Sequence, residues 1–148
     1  MSPILFVCTG NTCRSPMAAA MAAKIFAEAG LITEILSAGV SAWPGQPASR
    51  HAVTAMEECG LDLLAHKSAI VSDKLIGDAA LVLTMTKTHR AMLHSDYPAA
   101  KEKIFTLGEY AGENIDISDP YGGSLADYRQ CAAQIKSMLE IVAAKLAQ

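Results

Sequence analysis

The passage Val7-Cys8-Thr9-Gly10-Asn11-Thr12-Cys13-Arg14-Ser15-Pro16 constrains this chain more than any other, because it joins two opposite kinds of sequence across a short polar loop. Before it, Ile4-Leu5-Phe6-Val7 is a continuous apolar run, as a strand buried on both faces requires. After it, Ser15 is a good N-cap and Pro16 suits the first helical position. Met17, Met21, Ile25 and Ala29 then repeat at helical spacing down to a stop at Gly30. The passage therefore runs from a strand end to a helix start, where free N–H groups converge on an anion. Gly10 and Asn11 tolerate the left-handed angles such a cradle needs, and Arg14 can grip two phosphate oxygens through its planar fork. That positive environment favours the thiolate of Cys8, the nucleophilic form. No Gly-Lys-Ser/Thr is present, so this is not a Walker loop.

Apolar spacing predicts further strands over 32–36, 79–85 and 103–107, the first of them ending at Ser37-Ala38-Gly39. Helices are predicted over 48–59, near 72–76, over 86–95 and from Ser124 onward, where Leu125, Tyr128, Cys131, Ile135, Met138, Val142 and Leu146 share one face. Strands separated by helices call for parallel pairing, which gives an α/β fold in three layers with helices on both faces of the sheet. Ligands of such sheets sit at the carboxyl ends of strands. A length of 148 residues suits one domain, 1–148, and 51% hydrophobic residues supply its core.

With a net charge of −3 and scattered Lys and Arg, no basic stripe suggests nucleic acid. No apolar run reaches the length of a membrane span, so the expected protein is cytoplasmic, without a membrane partner, and a monomer. Four cysteines without a Cys-x2-Cys pair suggest neither a disulfide framework nor a zinc site, and no metal or other cofactor is expected. Cys59 and Cys131 fall on apolar helix faces and are read as core residues. His89 and His94 are read as exposed beside Arg90, and His51 as solvated. Trp43, on the loop 41–47, either packs back on the core or walls the phosphate site. On residues alone, Asp116-Ile117-Ser118-Asp119-Pro120-Tyr121-Gly122-Gly123 is a polar turn capped by Asp119.

Cys8 to Pro16, read with Ser37-Ala38-Gly39 and Asp119-Pro120-Tyr121-Gly122, resembles the low-molecular-weight protein-tyrosine phosphatases over essentially the whole chain. Thr12, where tyrosine-specific members usually have isoleucine, and Asp119 to Ser124 are similar to the bacterial branch that includes protein-arginine phosphatases. The resemblance implies a four-stranded parallel sheet in the order 2-1-3-4 and an enzyme acting on phosphorylated proteins. It also implies catalytic roles for Cys8, Arg14 and Asp119: Cys8 as nucleophile forming a phosphocysteine, Asp119 as acid then base. Thr9, Gly10, Asn11, Thr12, Cys13, Arg14 and Ser15 would hold the phosphate. It implies as well a reversible Cys8–Cys13 disulfide that shields the nucleophile, beside the plainer reading of Cys13 as a loop-packing residue.

Substrate choice is expected to rest on Thr12, Trp43 and Tyr121. A threonine hydroxyl suits a planar guanidinium better than an isoleucine wall does, which favours phosphoarginine over phosphotyrosine. Two remoter readings are a non-catalytic phosphate-binding redox sensor, which would not need Asp119, and a thiol-dependent arsenate reductase, which needs a closely spaced cysteine pair that Cys59 and Cys131 do not supply.

Overall fold

A computed structural model describes residues 2–148. Four strands, β1 (Ile4–Cys8), β2 (Ile35–Gly39), β3 (Leu81–Thr84) and β4 (Ile104–Thr106), form one sheet in the order β2-β1-β3-β4, and every pair is parallel. This is the predicted architecture. The helices are α1 (Arg14–Glu28), α2 (Arg50–Glu58), α3 (Asp73–Asp78), α4 (Lys87–Asp96), α5 (Leu107–Tyr110) and α6 (Leu125–Leu146), with a 3₁₀ turn at Pro98–Lys103.

The continuous apolar run of β1 is explained by a core on each side of it. Ile4, Phe6 and Cys8 pack with Met17, Met21 and Phe26 of α1, Ala52 and Met56 of α2, and Ile135 and Leu139 of α6. Leu5 and Val7 face the opposite way, against Ile76 of α3 and Leu93 of α4. Successive strand residues point to opposite faces, so a strand with helices above and below buries every side chain it carries.

Several boundaries differ from the predicted ones. β2 starts at Ile35, and Ile32 is exposed, because its ladder begins only where β1 supplies a partner, at Ile4 opposite Ile35. On α1 the buried face is Met17, Ala18, Met21, Ala22 and Phe26, while Ala29 lies at the exposed C-cap. α6 behaves as its spacing predicts, with Tyr128, Cys131, Ile135, Met138 and Val142 buried. Its start is fixed by a reciprocal pair: the Ser124 hydroxyl accepts the Asp127 N–H, and the Asp127 carboxylate accepts the Ser124 N–H. No helix among the described residues is long and apolar enough to cross a membrane.

Candidate active site

The carboxyl end of β1 delivers Cys8 to the sheet edge, and the next residues turn into α1. The helix starts one residue before the predicted cap. Arg14 is its first residue and Cys13 its N-cap, and no described side chain caps it, which leaves first-turn N–H groups for an anion. Ser15, expected as the cap, has another task. It is fully buried with its Oγ 2.9 Å from Cys8 Sγ, and it accepts Asn11 Nδ2–H at 2.8 Å, so its own proton is left for the thiol or for the Ala38 carbonyl, 3.5 Å away.

Asn11 is the staple of the loop. It is buried and has φ of 57°, the left-handed region that asparagine tolerates; Gly10, expected to share that conformation, is not in it. Its amide also donates to Ser37 Oγ at 3.0 Å, its Oδ1 accepts the Ala69 N–H at 2.8 Å, and its carbonyl accepts His66 Nε2–H at 2.8 Å. Neither His66 nor Ala69 carries a sequence signal for this role, because both lie more than fifty residues away on an irregular segment. Gly39 closes the fit from β2. A Cβ there would come within 2.4 Å of the Thr9 carbonyl oxygen, so only glycine lets the loop lie this close.

A cavity of about 290 Å³ opens over the loop, lined by Cys8, Thr9, Gly10, Thr12, Cys13 and Arg14 and roofed by Asp119 and Tyr121. Arg14 is buried, and its Nη1–H donates to the Ile117 carbonyl at 2.9 Å while Nη2 lies 3.5 Å from Asp119 Oδ2. The guanidinium thus joins the two loops. Asp119 is half exposed, its Oδ1 accepting the Tyr121 N–H at 3.1 Å, which is the turn-capping role read from the residues. Behind it three consecutive carbonyls are held by side chains: Asp116 by Gln134, Ile117 by Arg14 and Ser118 by the Cys131 thiol.

Not every candidate joins the site. Trp43 is 77% exposed and neither packs on the core nor lines the cavity, against both readings of it, although its loop is anchored on the phosphate loop at both ends, where the Ser41 N–H donates to the Thr9 carbonyl at 2.9 Å and the Ser49 N–H to the Thr12 carbonyl at 2.8 Å. Cys13 is buried, with its sulfur 3.3 Å from Tyr128 Oη and 3.5 Å from Ser49 Oγ, and all four cysteines are free thiols. Burial pushes the Tyr128 hydroxyl up to about 12. Cys131 is buried as expected and burial pushes its thiol up to about 12, but Cys59 is exposed, because α2 ends at Glu58 and the chain turns out through Gly60. His51 is half-buried with its ring edge-on to Tyr128 at 5.4 Å. The histidines of α4 also depart from expectation. His94 is half-buried and bonds the Ile104 carbonyl at 3.0 Å, and His89 is buried against the loop. Its ring nitrogens lie 2.8 Å from Thr9 Oγ1 and 3.0 Å from Thr86 Oγ1.

A thiol beside a buried hydroxyl, an arginine closing the loop and a carboxylate above it form a site for displacement at a phosphoryl group. The sequence matches the family described as low molecular weight phosphotyrosine protein phosphatase over residues 3–148. It is 42% identical over 144 residues to the protein-arginine-phosphatase of Bacillus subtilis, covering 97% of this chain and 95% of that one. To the low molecular weight protein-tyrosine-phosphatase PtpB of Staphylococcus epidermidis it is 35% identical over 137 residues, covering 93% and 94%. Among solved structures, the YwlE arginine phosphatase, as a cysteine-to-serine mutant with a phosphorylated active-site serine, superposes with a TM-score of 0.94 at 41% identity, covering 97% of this chain and 95% of that one. Loop, fold and sequence agree, and the chain belongs to the low molecular weight phosphotyrosine protein phosphatase family.

Proposed function

We propose that this phosphatase removes phosphate from arginine side chains of proteins, with Cys8 as nucleophile, Arg14 as phosphate clamp and Asp119 as acid and base. The observation that carries the choice of substrate is the cavity wall, where Thr12 and Asp119 stand as polar groups beside Cys8 and Arg14. Both groups pair with the N–H edge of a guanidinium, whereas an aryl ring leaves the Thr12 hydroxyl unmatched, Asp119 serving as acid to either leaving group. The 42% identity to two protein-arginine-phosphatases, against 35–39% to the tyrosine phosphatases named PtpB, points the same way. The second reading, phosphotyrosine, is favoured by Tyr121, whose exposed ring at the mouth could stack on an aryl group.

Chemically, the Cys8 thiolate attacks phosphorus in line as the bond from phosphorus to the leaving nitrogen breaks. The Arg14 fork and the loop N–H groups hold the equatorial oxygens. Protonated Asp119 gives its proton to the leaving nitrogen, producing free arginine and phosphocysteine. Asp119, now a carboxylate, takes a proton from water as that water attacks phosphorus. The S–P bond breaks, phosphate leaves, and the thiolate returns under the Ser15 hydroxyl, 2.9 Å away. Cys13, on the same loop and reduced, is the partner we assign to Cys8 for a protective disulfide under oxidation. The reading includes a cytoplasmic monomer that binds neither nucleic acid nor membrane.

The test is kcat/KM on a phosphoarginine peptide and a phosphotyrosine peptide for wild type and Thr12→Ile, with Cys8→Ser as blank. Preference for phosphoarginine that weakens in Thr12→Ile is expected. Preference for phosphotyrosine, untouched by Thr12→Ile, would overturn the substrate.

A further inference from the structure

His89 is a buried imidazole in contact with the phosphate loop to which the chemistry above assigns no role. One side of its ring meets Thr86, the N-cap of α4. The other meets Thr9, which lines the cavity directly after Cys8. Burial and the nearby positive charge of Arg14 lower the ring to about 4, so it is neutral at neutral pH and carries one ring proton.

The partners favour one nitrogen for that proton. Thr86 Oγ1 already accepts the His89 backbone N–H at 3.2 Å, as an N-cap does, which leaves the Thr86 proton to be donated. The bare Nδ1, 3.0 Å away, is the acceptor beside it. Nε2 then keeps the proton and donates to Thr9 Oγ1 at 2.8 Å. This tautomer also turns the positive end of the ring toward the anion pocket. With the oxygen of Thr9 accepting from Nε2–H, its own proton is left to be donated, and the cavity that Thr9 lines lies beside it.

We propose that His89 is a positioning residue and Thr9 a phosphate-binding hydroxyl. The relay runs from Thr86 O–H to His89 Nδ1, from His89 Nε2–H to Thr9 Oγ1, and from Thr9 O–H to a phosphoryl oxygen. This inference rests on the phosphatase reading for its ligand and adds a side-chain donor to the loop's backbone N–H groups.

Two-bond ¹H–¹⁵N spectra of the labelled protein at neutral pH test the tautomer without turnover. A His89 ring protonated at Nε2 is expected, and protonation at Nδ1 would overturn the relay. Binding of inorganic phosphate by calorimetry and kcat/KM on the preferred peptide test its use. Thr9→Val should weaken both by about tenfold, the scale of one hydrogen bond to a charged group. His89→Leu should match it in wild type yet add less than about twofold in the Thr9→Val background. His89→Gln, whose amide N–H reaches the place of Nε2–H, should stay within about threefold of wild type, while His89→Asn, which is too short, should behave as His89→Leu. An equal loss for His89→Leu with and without Thr9, or no rescue by Gln, would make His89 merely structural. Cys8→Ser turning over as fast as wild type would instead sink the phosphatase reading, with the spectra and phosphate binding still reporting on the relay.

Discussion

The two loops that enclose the cavity are built in opposite ways. The loop from Cys8 to Ser15 is cross-linked from every side: Asn11 and Ser15 are wholly buried, and bonds arrive from β2, from the segment around Ala69, and from α4. The loop over it is held mainly at its base, where Asp116, Ile117 and Ser118 have their carbonyls bound, and its tip meets the phosphate loop through the single Arg14–Asp119 ion pair. Its tip, from Asp119 to Gly122, has Asp119 half exposed, Tyr121 75% exposed and an Asx turn as its inner support. The difference fits a division of labour. Phosphate is the same in every substrate and rewards a preorganised cradle, whereas leaving groups differ and are met by the looser rim.

The largest loss is expected at the nucleophile. Cys8→Ser should lower kcat/KM by more than about 10⁴-fold whichever leaving group is used, because no other group can form the covalent intermediate. Next is the rim: Asp119→Asn should cost about 10²–10⁴-fold on a poor leaving group such as phenyl phosphate and much less on p-nitrophenyl phosphate, with inhibition by inorganic phosphate nearly unchanged. If the loss were the same for both leaving groups, the rim would be serving the phosphate and the division would fail. Asn11→Ala should destabilise the fold by roughly 1–3 kcal/mol, measured by urea unfolding, since it strands partners in three segments, the buried Ser15 among them. Tyr121→Ala should leave the unfolding midpoint alone and change kcat/KM by less than about tenfold, differently for the two peptides.

A smaller effect reports on α4. The His89 ring is held near 4 against an ordinary 6.5, so the unfolded chain takes up a proton there before the folded one does. Stability due to this group is complete above pH 6.5 and falls as pH drops from 6.5 toward 4, facing the charges of Arg14, Asp116 and Asp119. His89→Gln should flatten that part of the stability profile.

What could be read from the sequence is what is local in the chain. Cys8, Arg14 and Ser15 lie within one turn, and their strand and helix announce themselves through apolar spacing on either side. α6 is legible for the same reason, with its cap at Ser124 and its buried face at helical intervals. What stayed hidden depends on contacts between distant segments. His89 meets Thr9 across eighty positions, and its surroundings, Thr-His-Arg, look like an exposed helix turn until the fold lays α4 against the phosphate loop. Trp43 misled in the other direction, since an aromatic on a loop near a site carries no signal for which way that loop leans. Cys59 failed because the end of α2 falls one residue early, and an apolar face ceases to matter once the helix has stopped.

The close seat of Gly39 under the Thr9 carbonyl has a consequence for anyone hoping to move this chemistry elsewhere. The eight residues from Cys8 to Ser15 are not a portable cassette. Grafted onto another strand-to-helix junction, they would need a neighbouring strand that ends in a residue without a side chain, and distant N–H donors, as His66 and Ala69 supply here, to hold Asn11. The recipe for the loop is written in four separate places along the chain, and a transplant that copies only one of them would inherit the thiol but lose the shape that makes it useful.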